Sequence, residues 1–268
     1  MTNAPRPRHT QHAKAGLDAA RARGAARAWA RAWAHGHGHD QDHGHGHEPD
    51  AATFFDEVAA TWDDDPKRAE RATAIADAIR ASVPLTRQMS GFEFGSGTAL
   101  LSRSLAPDLG PITVSDPSRG MLEVVAQRLA AEGDTQLTPL LLELGVDPIP
   151  GGAAYDLAYG MLALHHVDDV PAALRSLQAA LRPGGYLCIA DLDADGGAYH
   201  AGHSHFHGHH GFDREALAAQ LIEGGFVDPH LRTVYHLRKP VDGVEQDFPL
   251  FLAVAQVGQV GQAGPDRA

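Results

Sequence analysis

Residues 88–105 read QMSGFEFGSGTALLSRSL, and the reading of the whole chain turns on them. The first half predicts a short strand ending near Phe94. The second half predicts a helix with Leu100, Leu101 and Leu105 on its apolar side. Between them lies Gly95-Ser96-Gly97. Glycine accepts backbone angles closed to other residues, and without a Cβ it lets a ligand lie against the main chain. Amide groups at the start of the following helix are then expected to point at that ligand. A Gly-x-Gly pair is also compatible with a plain tight turn, and the third glycine of a full dinucleotide fingerprint is absent. The next unit favours a ligand. Residues 112–116, ITVSD, form a second apolar run that ends in an acid about 20 residues beyond the glycines, where nucleotide-binding α/β folds place an acceptor for ribose hydroxyls.

Outward from this stretch the text alternates. Upstream, residues 54–62 (FFDEVAATW) predict a short amphipathic helix. Asp63-Asp-Asp-Pro66 is a turn opening a helix over 67–82, with Ala72, Ile75 and Ile79 on one side. Downstream, a helix over 118–131 capped by Ser118 leads to a strand over 136–142, and a fourth strand over 155–159 leads to His165 and His166. A helix over 170–181 is then stopped by Pro183-Gly184-Gly185, before a fifth strand over 186–190. Strict alternation at short spacing predicts a parallel sheet covered on both faces, with ligands at the C-terminal strand ends. Gly95, Asp116, Glu143, His165 and Asp191 all fall there. After a His-rich stretch over 193–211 comes a helix ending at Gly224-Gly225. Residues 227–237 and 248–257 predict an antiparallel pair at the sheet edge, joined by a turn-rich segment over 239–247.

Composition bounds the functions. The net charge is −12, yet residues 1–34 carry seven Arg or Lys against the single acid Asp18, a surplus of +6 that leaves −18 for the rest. So acidic a body repels a phosphate backbone, and no nucleic-acid partner is expected. No apolar run reaches membrane-spanning length, so no membrane partner is expected either. Cys188, the only cysteine, lies in an apolar run and reads as a buried structural thiol, consistent with a reducing cytoplasm. Residues 1–50 read as a basic, then His-rich, disordered tail, in which the histidines of 35–47 invite adventitious transition-metal binding without fixed geometry. The foldable domain is placed at 51–257, with a disordered tail over 258–268. The oligomeric state is not encoded.

In order, Glu93-Phe-Gly95-Ser-Gly97-Thr98, Asp116, Asp156, Leu164-His165-His166-Val-Asp168-Asp169, Pro183-Gly-Gly185 and His210-Gly-Phe-Asp213 resemble a class I S-adenosylmethionine-dependent methyltransferase of the small-molecule type 11/12 group. The resemblance covers residues 54–256. It implies a Rossmann-like α/β fold, a doubly wound and mostly parallel seven-stranded sheet with an antiparallel C-terminal edge. It implies S-adenosylmethionine as cofactor and a small or medium organic acceptor. Gly95 and Gly97 would lie under the methionine part, with Ser96 between them, Asp116 on the ribose, and Pro117, Met121, Leu142 and Glu143 around adenine. Glu93 would approach the cofactor's amino group through water, or only order the glycine loop. The third glycine of the family loop is Ala99 here, whose methyl narrows the room at the helix start.

Methyl transfer needs alignment and exclusion of water, and needs a base only where the acceptor must lose a proton. Histidine suits that task near neutral pH. His165, His166 and His210 are the candidates, with His165 favoured. The competing expectation is that His165 and His166 hydrogen-bond loop backbone and Asp168 or Asp169. The cluster over 200–210 admits a lid, a metal site or a substrate-facing loop, in which His209 is a further base candidate. No metal ligand set is assigned. Two other functions compete: an NAD(P)-dependent oxidoreductase, disfavoured by the incomplete glycine spacing, and a non-catalytic metal carrier built on the histidine tracts.

Overall fold

The computed structural model describes residues 51–201 and 206–258. The basic and His-rich segment 1–50, His203 and His205, and the C-terminal residues from 259 lie outside them. The chain begins with α1 (Ala51–Val58), a 3₁₀ turn (Ala59–Asp64) and α2 (Pro66–Ser82). Asp65 caps α2 by accepting from the Lys67 amide, and Pro66 occupies the first helical position, where its missing N–H costs nothing.

The sheet order is β3-β2-β1-β4-β5-β7-β6. Its parallel part comprises β1 (Gly91–Phe94), β2 (Ile112–Asp116), β3 (Leu137–Leu141), β4 (Tyr155–Met161) and β5 (Leu181–Leu192). Between these strands run α3 (Leu100–Leu105), α4 (Arg119–Glu132) and α5 (Val170–Ala180). After α6 (Arg214–Glu223), β6 (Phe226–Val241) and β7 (Val244–Val257) complete the edge, with β7 antiparallel to β5. Seven strands with an antiparallel C-terminal pair is the architecture the resemblance implied.

Period-two burial along the strands feeds two cores. Leu157, Tyr159 and Cys188 pack with α2, α3 and α4, whereas Ala158, Leu187 and Ile189 pack with α5 and α6. Both faces are therefore covered, which directs any ligand to the strand ends.

Two boundaries differ from expectation. Pro183-Gly184-Gly185 does not separate a helix from a strand: β5 already starts at Leu181, and the register slips between the pairs Tyr155↔Leu181 and Leu157↔Tyr186, a bulge that accommodates the proline. The segment 239–247 is mostly ladder. Pairing continues to Val241↔Val244, and the turn is only Asp242-Gly243, both at positive φ, as a two-residue hairpin requires. Among the described residues no helix is long and apolar enough to cross a membrane.

Candidate active site

The glycine loop joins β1 to α3. Gly95 has φ +56°, and a Cβ there would meet the Cβ of Ala163 at 2.4 Å, so this glycine lets the loop seat against the segment that follows β4. Three amides of the loop are taken up within the protein. Ser96 N–H donates to Ser115 O, Gly97 N–H to Asp116 Oδ2 at 2.7 Å, and Ala99 N–H to Ser96 O. The following helix is only six residues long. Ala99, at the family's third glycine, is buried and held left-handed at φ +62°, a conformation costing a non-glycine residue about 1 kcal/mol.

Asp116 ends β2 almost fully buried. Its Oδ1 accepts from Ser118 N–H at 2.9 Å and its Oδ2 from Gly97 N–H. Burial pushes its carboxyl up to about 6 against those two hydrogen bonds. A carboxylate has about four acceptor positions, so room remains for a diol. Ser96 Oγ is enclosed without a hydrogen-bond partner. A Cβ on Gly97 would come only within 3.8 Å of Trp62 Nε1 and 4.0 Å of Met121 Sδ, so the bare glycine faces a space bounded by those two side chains. A free hydroxyl, a bare backbone, a carboxylate with spare acceptors and an apolar Met121 fit S-adenosylmethionine. Leu142 is buried, its amide donating to Asp116 O, while Pro117 and Glu143 are exposed beside them.

Glu93 is buried. Its Oε2 accepts from Ser102 N–H on α3 at 3.2 Å, and Ser102 Oγ lies 2.6 Å from Tyr159 Oη. Burial pushes the Glu93 carboxyl up to about 8, opposed by the Ser102 bonds, so it holds a proton at neutral pH. The visible task of this group is to tie β1 to α3.

The acceptor side centres on His165. Its Nδ1 lies 2.6 Å from Asp191 Oδ1, and its backbone N–H donates to Asp191 Oδ2 at 3.2 Å. Asp191 is fully buried at the end of β5 and also accepts from Leu192 N–H. A carboxylate only accepts, so Nδ1 carries the imidazole proton and Nε2 presents a lone pair. The partner is thus Asp191, not the expected Asp168 or Asp169; Asp169 caps α5 through Ala172 N–H. Ahead of this pair, Leu162 holds φ +54°, a strained left-handed residue where β4 turns into the site.

Rings pack around the buried His165. His166 lies 4.2 Å from His165 and 5.4 Å from Phe55, which packs on Trp62. His200 lies 5.2 Å from His165 and stacks on Phe206. Burial, reinforced by the neighbouring His165, lowers His166 to about 3, so it stays neutral and accepts a proton poorly. His210 is exposed at the rim, its ring 6.2 Å from His200, and His209 turns away to bond Val167 O. Among the described residues no group of three or more His, Cys, Asp or Glu side chains is placed to hold a metal ion.

The structure therefore brings together His165, His166 and the glycine loop, and leaves His210 at the edge. Asp191 stood at a strand end in the sequence without a partner, because no spacing rule links residues 26 apart. Trp62, Tyr199 and His200 gave no signal beyond being aromatic or imidazole groups in flanking segments.

Residues 92–187 match the family model described as a methyltransferase domain. The biotin biosynthesis bifunctional protein BioCD of Bordetella avium is 37% identical over 124 residues, 45% of this chain and 25% of that protein. The ubiquinone biosynthesis O-methyltransferase of Methylobacterium nodulans is 31% identical over 162 residues, 54% of this chain and 63% of that protein. The chain thus spans less than two thirds of the length of these curated relatives. Among solved structures, a Haemonchus contortus phosphoethanolamine N-methyltransferase 2 in complex with S-adenosyl-L-methionine superposes with a TM-score of 0.59 at 14% identity, over 76% of this chain and 60% of that one. That likeness concerns the fold. Motif order, sheet topology and the matched segment agree: residues 92–187 match a methyltransferase domain, and the sheet around them has the fold of class I S-adenosylmethionine-dependent methyltransferases.

Proposed function

We propose that the chain transfers the methyl group of S-adenosylmethionine to a small or medium organic acceptor, with His165 receiving the acceptor's proton. The observation that carries this reading is the buried Asp191–His165 pair, whose imidazole is packed among the rings of His166, His200 and Phe206. The bound cofactor supplies a sulfonium methyl open to in-line displacement. Everything else falls to the protein. Asp116 holds the sugar, the Gly95-Ser96-Gly97 backbone supports the amino-acid portion, and Met121 and Leu142 flank the base, with Pro117 and Glu143 at its exposed edge.

Phe55, Trp62 and His166 exclude water, which sharpens alignment of donor and acceptor. Asp191 fixes the imidazole tautomer and stabilises the imidazolium formed once Nε2 takes the proton. The Methylobacterium relative is named as an O-methyltransferase, and an oxygen acceptor has such a proton to lose. The acidic body disfavours a polynucleotide acceptor, and the single buried Cys188 suits a reducing cytoplasm.

The test is incubation of a small-molecule extract with the protein and methyl-labelled S-adenosylmethionine, read by mass spectrometry. One methyl-shifted product that disappears with His165→Gln supports the proposal. Turnover of the donor with no labelled small molecule, or label found only on polymers, contradicts it.

A further inference from the structure

Among the described residues most half-buried guanidinium groups are paired. Arg80 binds Asp77 and Asp108, Arg103 binds Glu132, Arg128 binds Asp63, and Arg214 binds Asp193. Arg71, one turn after Arg68 on α2, is different. Its Nε is closed off from solvent without a hydrogen-bond partner, and no carboxylate lies within ion-pair distance of it among the described residues. The groups that act on it are the phenols of Tyr199 and Tyr235, the like charge of Arg68, and Asp65. Asp65 is committed to the cap of α2 and to Arg68 at 3.9 Å, and Tyr235 Oη donates to Glu70 at 3.4 Å. Burial lowers the Arg71 pKa below its ordinary value. A buried cation without a counter-charge destabilises the fold that holds it.

Its location ties this cost to the site. Tyr199 packs 4.9 Å from His200, whose ring is 5.2 Å from His165. On the other side, Arg68 lies over Trp62 at 3.4 Å, and Trp62 borders Gly97. Arg71 is thus linked to the glycine loop through Arg68 and Trp62, and to the Asp191–His165 pair through Tyr199 and His200. Lys239, 4.6 Å over the Tyr199 ring, adds a third cation. The nearest acid on that loop, Asp195, is occupied by the amides of Gly197 and Tyr199.

We propose that Arg71 is the anchor for an oxyanion group, carboxylate or phosphate, on the methyl acceptor, with Tyr199 as an added donor and Arg68 and Lys239 supplying positive potential. The proposal rests on the methyltransferase reading and narrows its acceptor to anionic compounds. The planar guanidinium offers two parallel N–H donors to such a group.

Thermal melting of the full chain tests it, with and without saturating S-adenosylhomocysteine, in chloride, benzoate or inorganic phosphate at equal ionic strength. Wild-type protein should gain at least about 2 °C in benzoate or phosphate over chloride, and whichever anion acts shows which oxyanion the site takes. Arg71→Met keeps the stem and removes the charge; it should melt higher than wild type in chloride and lose the oxyanion response, while Arg71→Lys keeps part of it. Equal responses in wild type and R71M, no response in wild type, or R71M melting several degrees lower in chloride would each overturn the proposal. Stabilisation by S-adenosylhomocysteine is a separate readout. Its absence would defeat the methyltransferase reading, while the anion response of Arg71 would still stand or fall by itself.

Discussion

Replacing Glu93 with Gln should remove a large part of the pH dependence of stability between pH 5 and pH 8. The native carboxyl is pushed up to about 8 from 4.5, chiefly by burial, with the Ser102 bonds opposing and the charge of Asp116 adding to the rise. The folded chain keeps this proton across a window in which the unfolded chain has released it. The native state then binds more protons, and stability falls as pH rises from the unfolded value to the folded one. At about 1.4 kcal/mol per pH unit the ceiling on this loss is about 5 kcal/mol. Relaxation and water entry reduce it, and about 2–3 kcal/mol is the expected size, or roughly 5–10 °C in melting temperature for a domain of this size. Glutamine mimics the protonated acid, still accepting from Ser102 N–H. Asp116 is also raised, to about 6, and costs stability with the same sign at lower pH, but it is present in both chains and cancels in their difference. Melts at pH 5, 6, 7, 8 and 9 should show the two proteins close at pH 5 and E93Q ahead at pH 8 and above. Parallel curves would refute the reasoning, since they would mean that Glu93 carries no buried proton.

Three further perturbations probe the site. Removing the proton acceptor with His165→Gln, or misorienting it with Asp191→Asn, should lower kcat about 10²- to 10⁴-fold with S-adenosylmethionine affinity unchanged; loss confined to KM would contradict the role. His166→Leu, by contrast, should cost kcat less than about tenfold, because its pKa of about 3 already makes it a poor acceptor. Gly95→Ala places a methyl 2.4 Å from Ala163 Cβ at a left-handed residue, so a loss of about 2–4 kcal/mol is expected in urea unfolding.

Fold and site were legible to different depths. The parallel part of the sheet could be read because its strands carry short apolar runs ended by glycine or an acid, and because the period changes cleanly between strand and helix. The β5 start was missed because Pro183-Gly184-Gly185 has the sequence of a stop signal, while a bulge lets the strand pass through it. Glycine spacing reports backbone freedom and says nothing about which acceptor takes each N–H, so the hold of Asp116 and Ser115 on two loop amides could not be read from it. Asp116 and His165 were legible as strand-end residues. The pairing of Asp191, also read at a strand end, with His165 and the missing counter-charge of Arg71 were not legible, since both are properties of three-dimensional neighbours.

A sulfonium nucleoside lying on the Gly95–Gly97 backbone with its sugar on Asp116 should be seen by calorimetric titration with S-adenosylmethionine. One site per chain is expected. A ribose diol needs the ionised carboxylate and the free Asp116 titrates at about 6, so affinity should fall about tenfold from pH 7.5 to pH 5. In Asp116→Asn, binding at pH 7.5 should be at least about tenfold weaker, with that pH dependence gone. Binding that is undetectable in the wild-type chain, or equally tight in D116N at both pH values, would contradict the account.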